Sequence, residues 1–168
     1  MDVRKHTTTD AVSEVLYSDC GAYRYFLSRR WSDTGGLVNF IMLNPSKADE
    51  FRNDPTVERC ERRARQLGFG AFAVTNIFAW RATDPKDMRR ADHPEGPDNR
   101  KILLNTARTA DLIVAAWGAH GDHRGQGETI KDLLRQAGLH PYHLGLSKHG
   151  HPRHPLYVAY ARQPDRWL

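Results

Sequence analysis

The sequence contains little cysteine, because Cys20 and Cys60 are its only two thiols. Two cysteines provide no disulfide framework and too few ligands for an iron–sulfur cluster, so we expect both to be reduced. No apolar run approaches the roughly 20 residues that a transmembrane helix needs. The first residues, MDVRKHTTTDAV, lack the apolar core of a signal peptide. These absences predict a cytoplasmic protein that does not enter a membrane.

Several motifs of common enzyme classes are also missing. The chain has no Gly-x-x-x-x-Gly-Lys-Ser/Thr loop, no Gly-x-Gly-x-x-Gly turn and no Gly-x-Ser-x-Gly elbow. Their absence argues against a nucleoside triphosphatase, a dinucleotide-binding fold and an α/β-hydrolase elbow. No internal repeat or low-complexity tract is visible.

The composition is typical of a globular protein, with 39% hydrophobic and 27% charged residues in a chain of 168. We expect an N-terminal arm over residues 1–19, with a short helix around 10–17, and one α/β domain over residues 20–168. The formal net charge of +5 and the isoelectric point near 9.4 suggest a polyanionic partner such as nucleic acid.

The central stretch is Leu37–Asp54, where a buried apolar strand stops at Asn44-Pro45-Ser46. Helices alternate with further apolar strands, and Asp54-Pro55 and Pro85 mark two helix starts. The predicted strands are Leu37–Leu43, Ala71–Ile77, Leu112–Ala116 and His140–Leu146. We therefore predict a three-layer α/β sandwich with a four-stranded parallel sheet of order 2-1-3-4. Tyr23–Trp31 should add an antiparallel edge strand with one solvated face.

Polar loops follow all four predicted strands and should converge at one edge of a parallel sheet, where ligands bind in open α/β folds. These loops contain the histidines His120, His123, His149, His151 and His154. A zinc or iron site is conceivable. Histidine as an electrophile or proton donor fits these proline-containing loops better, so we expect no metal and no cofactor. The arginine face of the predicted helix after Asp54 (Arg59, Arg62, Arg63) either binds phosphates or is simply solvated.

The segments MLNPSKAD, NDPT, NIFAWRATDP, GPDN, AAWG and LGLSKHGHPRHPLY together resemble the uncharacterised family called domain of unknown function 1643. The order of the motifs is also similar to the uracil-DNA glycosylase superfamily, which implies the fold described above. Asn44-Pro45 stands where that superfamily has its first loop, and His154-Pro155 stands in its last. Met42, Ser46 and Leu156 depart from the superfamily pattern.

The second resemblance implies a hydrolase that cleaves the N-glycosidic bond of a base in DNA or in a nucleotide. Asn44 would hold the attacking water, and His154 would hydrogen-bond the leaving base. The implied base-binding residues are Asn76, Ser46, Phe51 and Phe78, and the implied phosphate-binding residues are Lys148, Arg153 and Arg81.

Two alternatives remain open at the level of the sequence. The Met42–Ser46 loop contains no carboxylate to activate water, which favours a non-catalytic nucleic-acid or nucleotide-binding module. The C-terminal histidine loop could instead serve a metal-dependent hydrolase or nuclease. The sequence does not indicate an oligomeric state.

Overall fold

One sheet of eight strands organises the protein, and the computed structural model describes residues 1–168. The strands are β1 (Asp2–Thr7), β2 (Val12–Tyr17), β3 (Arg24–Arg30), β4 (Leu37–Met42), β5 (Ala71–Asn76), β6 (Leu112–Ala115), β7 (Tyr142–His143) and β8 (Asp165–Arg166). The α-helices are α1 (Pro55–Gln66), α2 (Pro85–Arg90), α3 (Asn99–Thr109) and α4 (Gln126–Gln136). Two 3₁₀ segments span Ala119–Gly125 and Pro155–Tyr157.

The strand order is β1-β2-β3-β5-β4-β6-β7-β8, and the sheet is mixed. β4 pairs in parallel with β5 and β6, and β6 pairs in parallel with β7. The remaining four pairs, β1–β2, β2–β3, β3–β5 and β7–β8, are antiparallel. The prediction of a four-stranded parallel sandwich with one antiparallel edge strand is therefore wrong.

The N-terminal residues account for much of this difference, because β1 and β2 form a hairpin that extends the sheet beyond β3. The short helix expected around residues 10–17 is wrong. In β2 the buried side chains are Ser13, Val15 and Tyr17, which is the period of two that a strand requires. β3 is consequently an interior strand, and its arginines Arg24 and Arg29 are buried rather than solvated.

The other end of the sheet is shorter than expected. β7 contains only Tyr142 and His143, instead of the predicted His140–Leu146. Gly145 adopts a positive φ of 107°, and its amide donates to His143 Nδ1 at 2.9 Å, so the chain turns away directly after the strand. β8 then closes this edge by pairing antiparallel with β7.

Helices pack on both faces of the sheet. Helix α1 contributes Val57, Cys60 and Ala64 to one core with alternate residues of β2 to β6. Helices α2, α3 and α4 contribute to the opposite core, which contains Trp117. None of the helices combines the length and apolar character needed to cross a bilayer.

Both helix starts predicted from Asp-Pro pairs are confirmed. Asp54 caps α1 by accepting from Val57 N at 2.8 Å, and Asp84 caps α2 by accepting from Lys86 N at 2.9 Å. In each case the proline occupies the first turn, where the missing N–H costs no hydrogen bond. The cap of α1 also fixes the end of the loop that follows β4.

Gly70 provides a test of how closely the β3–β4 turn packs against the start of β5. A Cβ there would lie 2.0 Å from the backbone oxygen of Thr34, which cannot move independently. We expect Gly70→Ala to lower the free energy of unfolding by about 3 kcal/mol or more, measured by urea denaturation. Gly68→Ala is the control, since its Cβ meets nothing and it carries only the left-handed penalty of roughly 1–2 kcal/mol. Equal losses would contradict this packing.

Candidate functional site

A cavity of about 660 Å³ opens at the carboxyl ends of the parallel strands. Its walls come from the loops that follow β4, β5, β6 and β7, within residues 43–56, 82–85, 117–120 and 147–157. These loops meet here because β4, β5, β6 and β7 run in the same direction. We refer to it below as the main cavity.

His154 lines the main cavity as a neutral side chain. Burial lowers the pKa of His154 from 6.5 to about 4, and the negative charge of Asp54 opposes this only partly. The ring nitrogen Nδ1 accepts a hydrogen bond from Leu156 N at 3.3 Å. Because Nδ1 is the acceptor, the single proton of the neutral ring resides on Nε2, which makes Nε2 a hydrogen-bond donor.

Asn44 lines the same cavity and has a fixed amide orientation. Its Nδ2 donates to Ala82 O at 2.8 Å and to Pro45 O at 3.2 Å. With the donor side of the amide occupied, Oδ1 is left as an acceptor. Asn44 can therefore accept a hydrogen bond from a water or from a ligand N–H.

Asp54 adds a carboxylate to the main cavity. Its Oδ1 caps α1, and its Oδ2 accepts from Ala48 N at 3.2 Å, so the side chain joins the helix to the preceding loop. Each oxygen keeps a second lone pair. The sequence predicted Asp54 as a helix cap and left open whether its carboxylate faces the site; the structure places it in the same cavity wall as Asn44.

The apolar part of the wall includes Leu43, Trp117 and Leu156. Trp117 is fixed by close packing, because a Cβ on Gly121 would lie 2.2 Å from its Cδ1 atom. Its ring also lies 5.7 Å from that of Trp167. Trp117 is 2% exposed, so it closes the wall of the cavity as a rigid, buried side chain.

Basic side chains surround the opening. His120, His151 and Arg153 line the cavity, and Tyr157 is exposed beside them. Arg153 Nη2 donates to Tyr157 O at 3.3 Å, and the guanidinium takes part in no ion pair within the protein. These groups can meet an anionic part of a ligand whose ring lies deeper.

Two buried arginines of β3 hold the loop between Asn44 and Asp54. Arg24 Nη1 donates to Ala48 O at 2.8 Å, and Arg29 Nη2 donates to Asp49 O at 2.8 Å and Arg52 O at 3.1 Å. Burial lowers the pKa of Arg24 to about 10, so it stays protonated at neutral pH. The sequence predicted that these arginines lie on a solvated face of an edge strand. They are buried because β3 is an interior strand of the sheet.

Of the predicted site residues, the structure brings Asn44, Ser46, Arg153 and His154 together at the main cavity. Ser46 Oγ donates to Thr83 Oγ1 at 3.3 Å. Asn76 is not part of the wall: it is 1% exposed, and its backbone oxygen accepts from Asn99 Nδ2 at 2.7 Å. It ends a strand that is buried along its whole length, so its side chain faces the core.

The predicted aromatic and phosphate-binding residues lie elsewhere. Phe51 is 63% exposed and packs on His6, because the loop turns it away from the cavity. Phe78 lines a separate cavity of about 600 Å³. Lys148 is exposed outside the wall, and Arg81 donates to Gly21 O while its guanidinium lies over the Tyr17 ring.

The arginine face of α1 is not simply solvated. Arg59 and Arg63 donate to backbone oxygens of the segment that follows His154. Arg63 is 1% exposed, so it cannot reach a phosphate. Arg62 is exposed and lies 3.9 Å from Glu58.

The histidines do not gather into a metal site. No group of three or more histidine, cysteine, aspartate or glutamate side chains has the arrangement needed to hold a metal ion. The residues present thus lend no support to a metal-dependent hydrolase or nuclease built on the C-terminal loop.

The state of His154 predicts a pH dependence of stability. Between pH 6.5 and about 4 the unfolded chain binds a proton at this residue that the folded chain does not. The contribution of His154 to the free energy of unfolding is therefore fully present above pH 6.5 and is lost as the pH falls through that window. His154→Gln should lose less stability than wild type between about pH 7 and about pH 5, as measured by urea denaturation. His149→Gln, on the exposed part of the same loop, should follow wild type; parallel curves for all three would contradict the assignment.

The family described as protein of unknown function (DUF1643) matches residues 24–156. That range runs from β3 through His154 and includes every cavity-lining residue except Tyr157. No curated protein and no solved structure matches the chain, so the comparisons do not support the likeness to uracil-DNA glycosylases. Since the match covers most of the sequence, the chain belongs to the DUF1643 family.

Proposed function

We propose that this protein is a hydrolase that cleaves the N-glycosidic bond of a base in DNA or in a nucleotide. The observation that supports this most is that Asn44, Asp54 and a neutral His154 line one cavity. N-glycosidic hydrolysis needs a held water, stabilisation of a sugar cation and stabilisation of a departing base. These three residues offer one group for each need.

His154 is suited to the leaving base. As the bond between the sugar carbon and the base nitrogen breaks, its electron pair moves onto the base. A neutral Nε2–H donor stabilises that charge without having to lose a proton at neutral pH. The low pKa of His154 keeps the ring neutral, so it acts as a hydrogen-bond donor rather than as a cation.

Asn44 is suited to hold the attacking water, and Asp54 is suited to stabilise the cation that develops on the sugar. The free Oδ1 of Asn44 can accept a hydrogen bond from the attacking water, while Asp54 places a negative charge near the developing cation. When the water adds to the sugar carbon, its proton passes to the Asp54 carboxylate. Asp54 would thus supply the carboxylate that the Met42–Ser46 stretch lacks.

The side chains at the opening of the cavity are suited to bind the phosphate groups of such a substrate. Arg153, His120 and His151 can contact phosphate oxygens next to the ring. The net charge of +5 favours the approach of a polyanion.

One observation favours a second candidate, a nucleotide-binding module without catalysis. Both carboxylate oxygens of Asp54 already accept backbone N–H groups, which is what a purely structural cap would show. A protein of this kind would bind the same ligands and release no base.

We expect base release to depend on His154. Oligonucleotides with one deaminated, alkylated or oxidised base, single- and double-stranded, and nucleoside monophosphates would be incubated with the protein, and free base measured by mass spectrometry. His154→Ala should lower the cleavage rate on the order of a hundredfold, because one preorganised donor is lost. Asp54→Asn should lower it as well.

His149→Ala is the matched control, because His149 is exposed on the same loop and outside the cavity wall. Its rate should equal that of wild type. Binding without release in wild type would favour the non-catalytic module, and release that survives His154→Ala unchanged would remove His154 from the reaction.

Arg153 allows a separate test of the opening. If it contacts a phosphate, Arg153→Gln should weaken oligonucleotide binding and reduce the slope of log affinity against log salt by about 1. Arg81→Gln, on an exposed arginine that lies outside the wall, should leave the slope unchanged. An unchanged slope in Arg153→Gln would show that the phosphates lie elsewhere.

A further inference from the structure

Two arginines of α1 hold the segment that follows His154. We call residues 155–162 the C-terminal segment. Arg63 Nη1 donates to Arg162 O at 2.8 Å, and its Nη2 donates to Ala159 O at 3.1 Å and Val158 O at 3.3 Å. Val158 itself is buried in the core under α1. The C-terminal segment is therefore docked on α1 by both polar and apolar contacts.

Arg59 contacts the part of this segment next to His154. Its Nε donates to Pro155 O at 2.9 Å, and its Nη2 donates to Val158 O. These two oxygens belong to the first residue of the 3₁₀ turn Pro155–Tyr157 and to the residue that directly follows it. The Arg59 guanidinium also lies over the ring of Tyr160, 4.2 Å from the ring centroid, and this contact limits the movement of the guanidinium.

The orientation of the His154 ring depends on the same turn. His154 precedes the turn, and its Nδ1 accepts from Leu156 N. Pro155 has no N–H, so Leu156 N is the first backbone donor that the ring can meet. A shift of the turn would move this donor, and the ring would lose the contact that keeps the proton on Nε2.

We propose that Arg59 is a positioning residue of the site: by holding the oxygens of Pro155 and Val158, it fixes the turn that presents His154 to the main cavity as an Nε2–H donor. The chemical use of that donor rests on the proposed function, but the effect of Arg59 on the ring does not.

An arginine is needed at this position because the two acceptors are reached by different nitrogens of one planar group. A lysine keeps the charge but offers a single ammonium, which cannot hold both oxygens in the same geometry. Arg62 provides the matched control. It lies on the same helix, pairs with Glu58 and donates to no oxygen of the C-terminal segment.

The experiment compares Arg59→Lys with Arg62→Lys by nitrogen NMR of ¹⁵N-histidine-labelled protein. Wild type and Arg62→Lys should show His154 as one neutral tautomer, with Nδ1 unprotonated. Arg59→Lys should show a mixture of both tautomers and a His154 pKa raised toward its ordinary value, because the ring becomes more solvated. The charged groups that act on this ring do not change, since Asp54 is retained. A single unshifted tautomer in Arg59→Lys overturns the proposal.

Kinetics add a second measurement where wild type releases a base. Arg59→Lys should lower kcat by about tenfold to a hundredfold while KM changes less than about twofold, because the reacting groups are misplaced rather than removed. Arg62→Lys should match wild type. An equal loss in both variants would mean a general effect of charge on α1 and would overturn the proposal.

The two hypotheses fail in different ways. If wild type releases no base but Arg59→Lys mixes the His154 tautomers, the proposed function is wrong and the positioning role stands. If Arg59→Lys does not fold, Arg59→Gln replaces the guanidinium by a neutral side chain with a single donor nitrogen, which cannot hold both oxygens. That variant should show the same mixture of tautomers, and an unchanged His154 signal in it would overturn the proposal.

Discussion

Hydrogen bonds from arginines of β3 and α1 to backbone carbonyl oxygens hold the loops that form the main cavity. Arg24 and Arg29 bind the loop after β4, and Arg59 and Arg63 bind the segment after His154. These loops have no strand partner for their oxygens, and a buried acceptor left without a donor costs about 1–3 kcal/mol. One guanidinium supplies several donors in a fixed plane, so a few side chains satisfy two irregular segments.

The choice of neutral acceptors affects the electrostatics of the site. A carbonyl oxygen satisfies the hydrogen bonds of a guanidinium but leaves its positive charge in place. Asp54 is the carboxylate that acts on both Arg24 and His154. It therefore compensates buried positive charge on one side while it faces the cavity on the other, and an aspartate in this position links the stability of the loop to the chemistry of the pocket.

The sequence predicted features whose cause is local. The Asp-Pro pairs started two helices, and Asn44 and His154 lie in one cavity because each follows a strand of the parallel part of the sheet. It failed where the outcome depends on distant packing. Burial of Arg24 follows from the hairpin β1–β2, which makes β3 interior. The direction of the Asn76 side chain depends on packing around the end of β5, and a strand buried on both faces has no alternation of apolar and polar residues that would predict it.

The contacts between α1 and the C-terminal segment also determine when the site can form. Arg59 and Pro155 are separated by 96 positions, and Arg63 and Arg162 by 99. Loop closure over such distances is slow compared with formation of a single helix. During synthesis, the loop with Asn44 and Asp54 and the helix α1 are made well before His154. The wall of the main cavity is therefore complete only once the C-terminal segment has been made, and a chain that ends at residue 154 carries all three polar groups but none of the turn that orients His154.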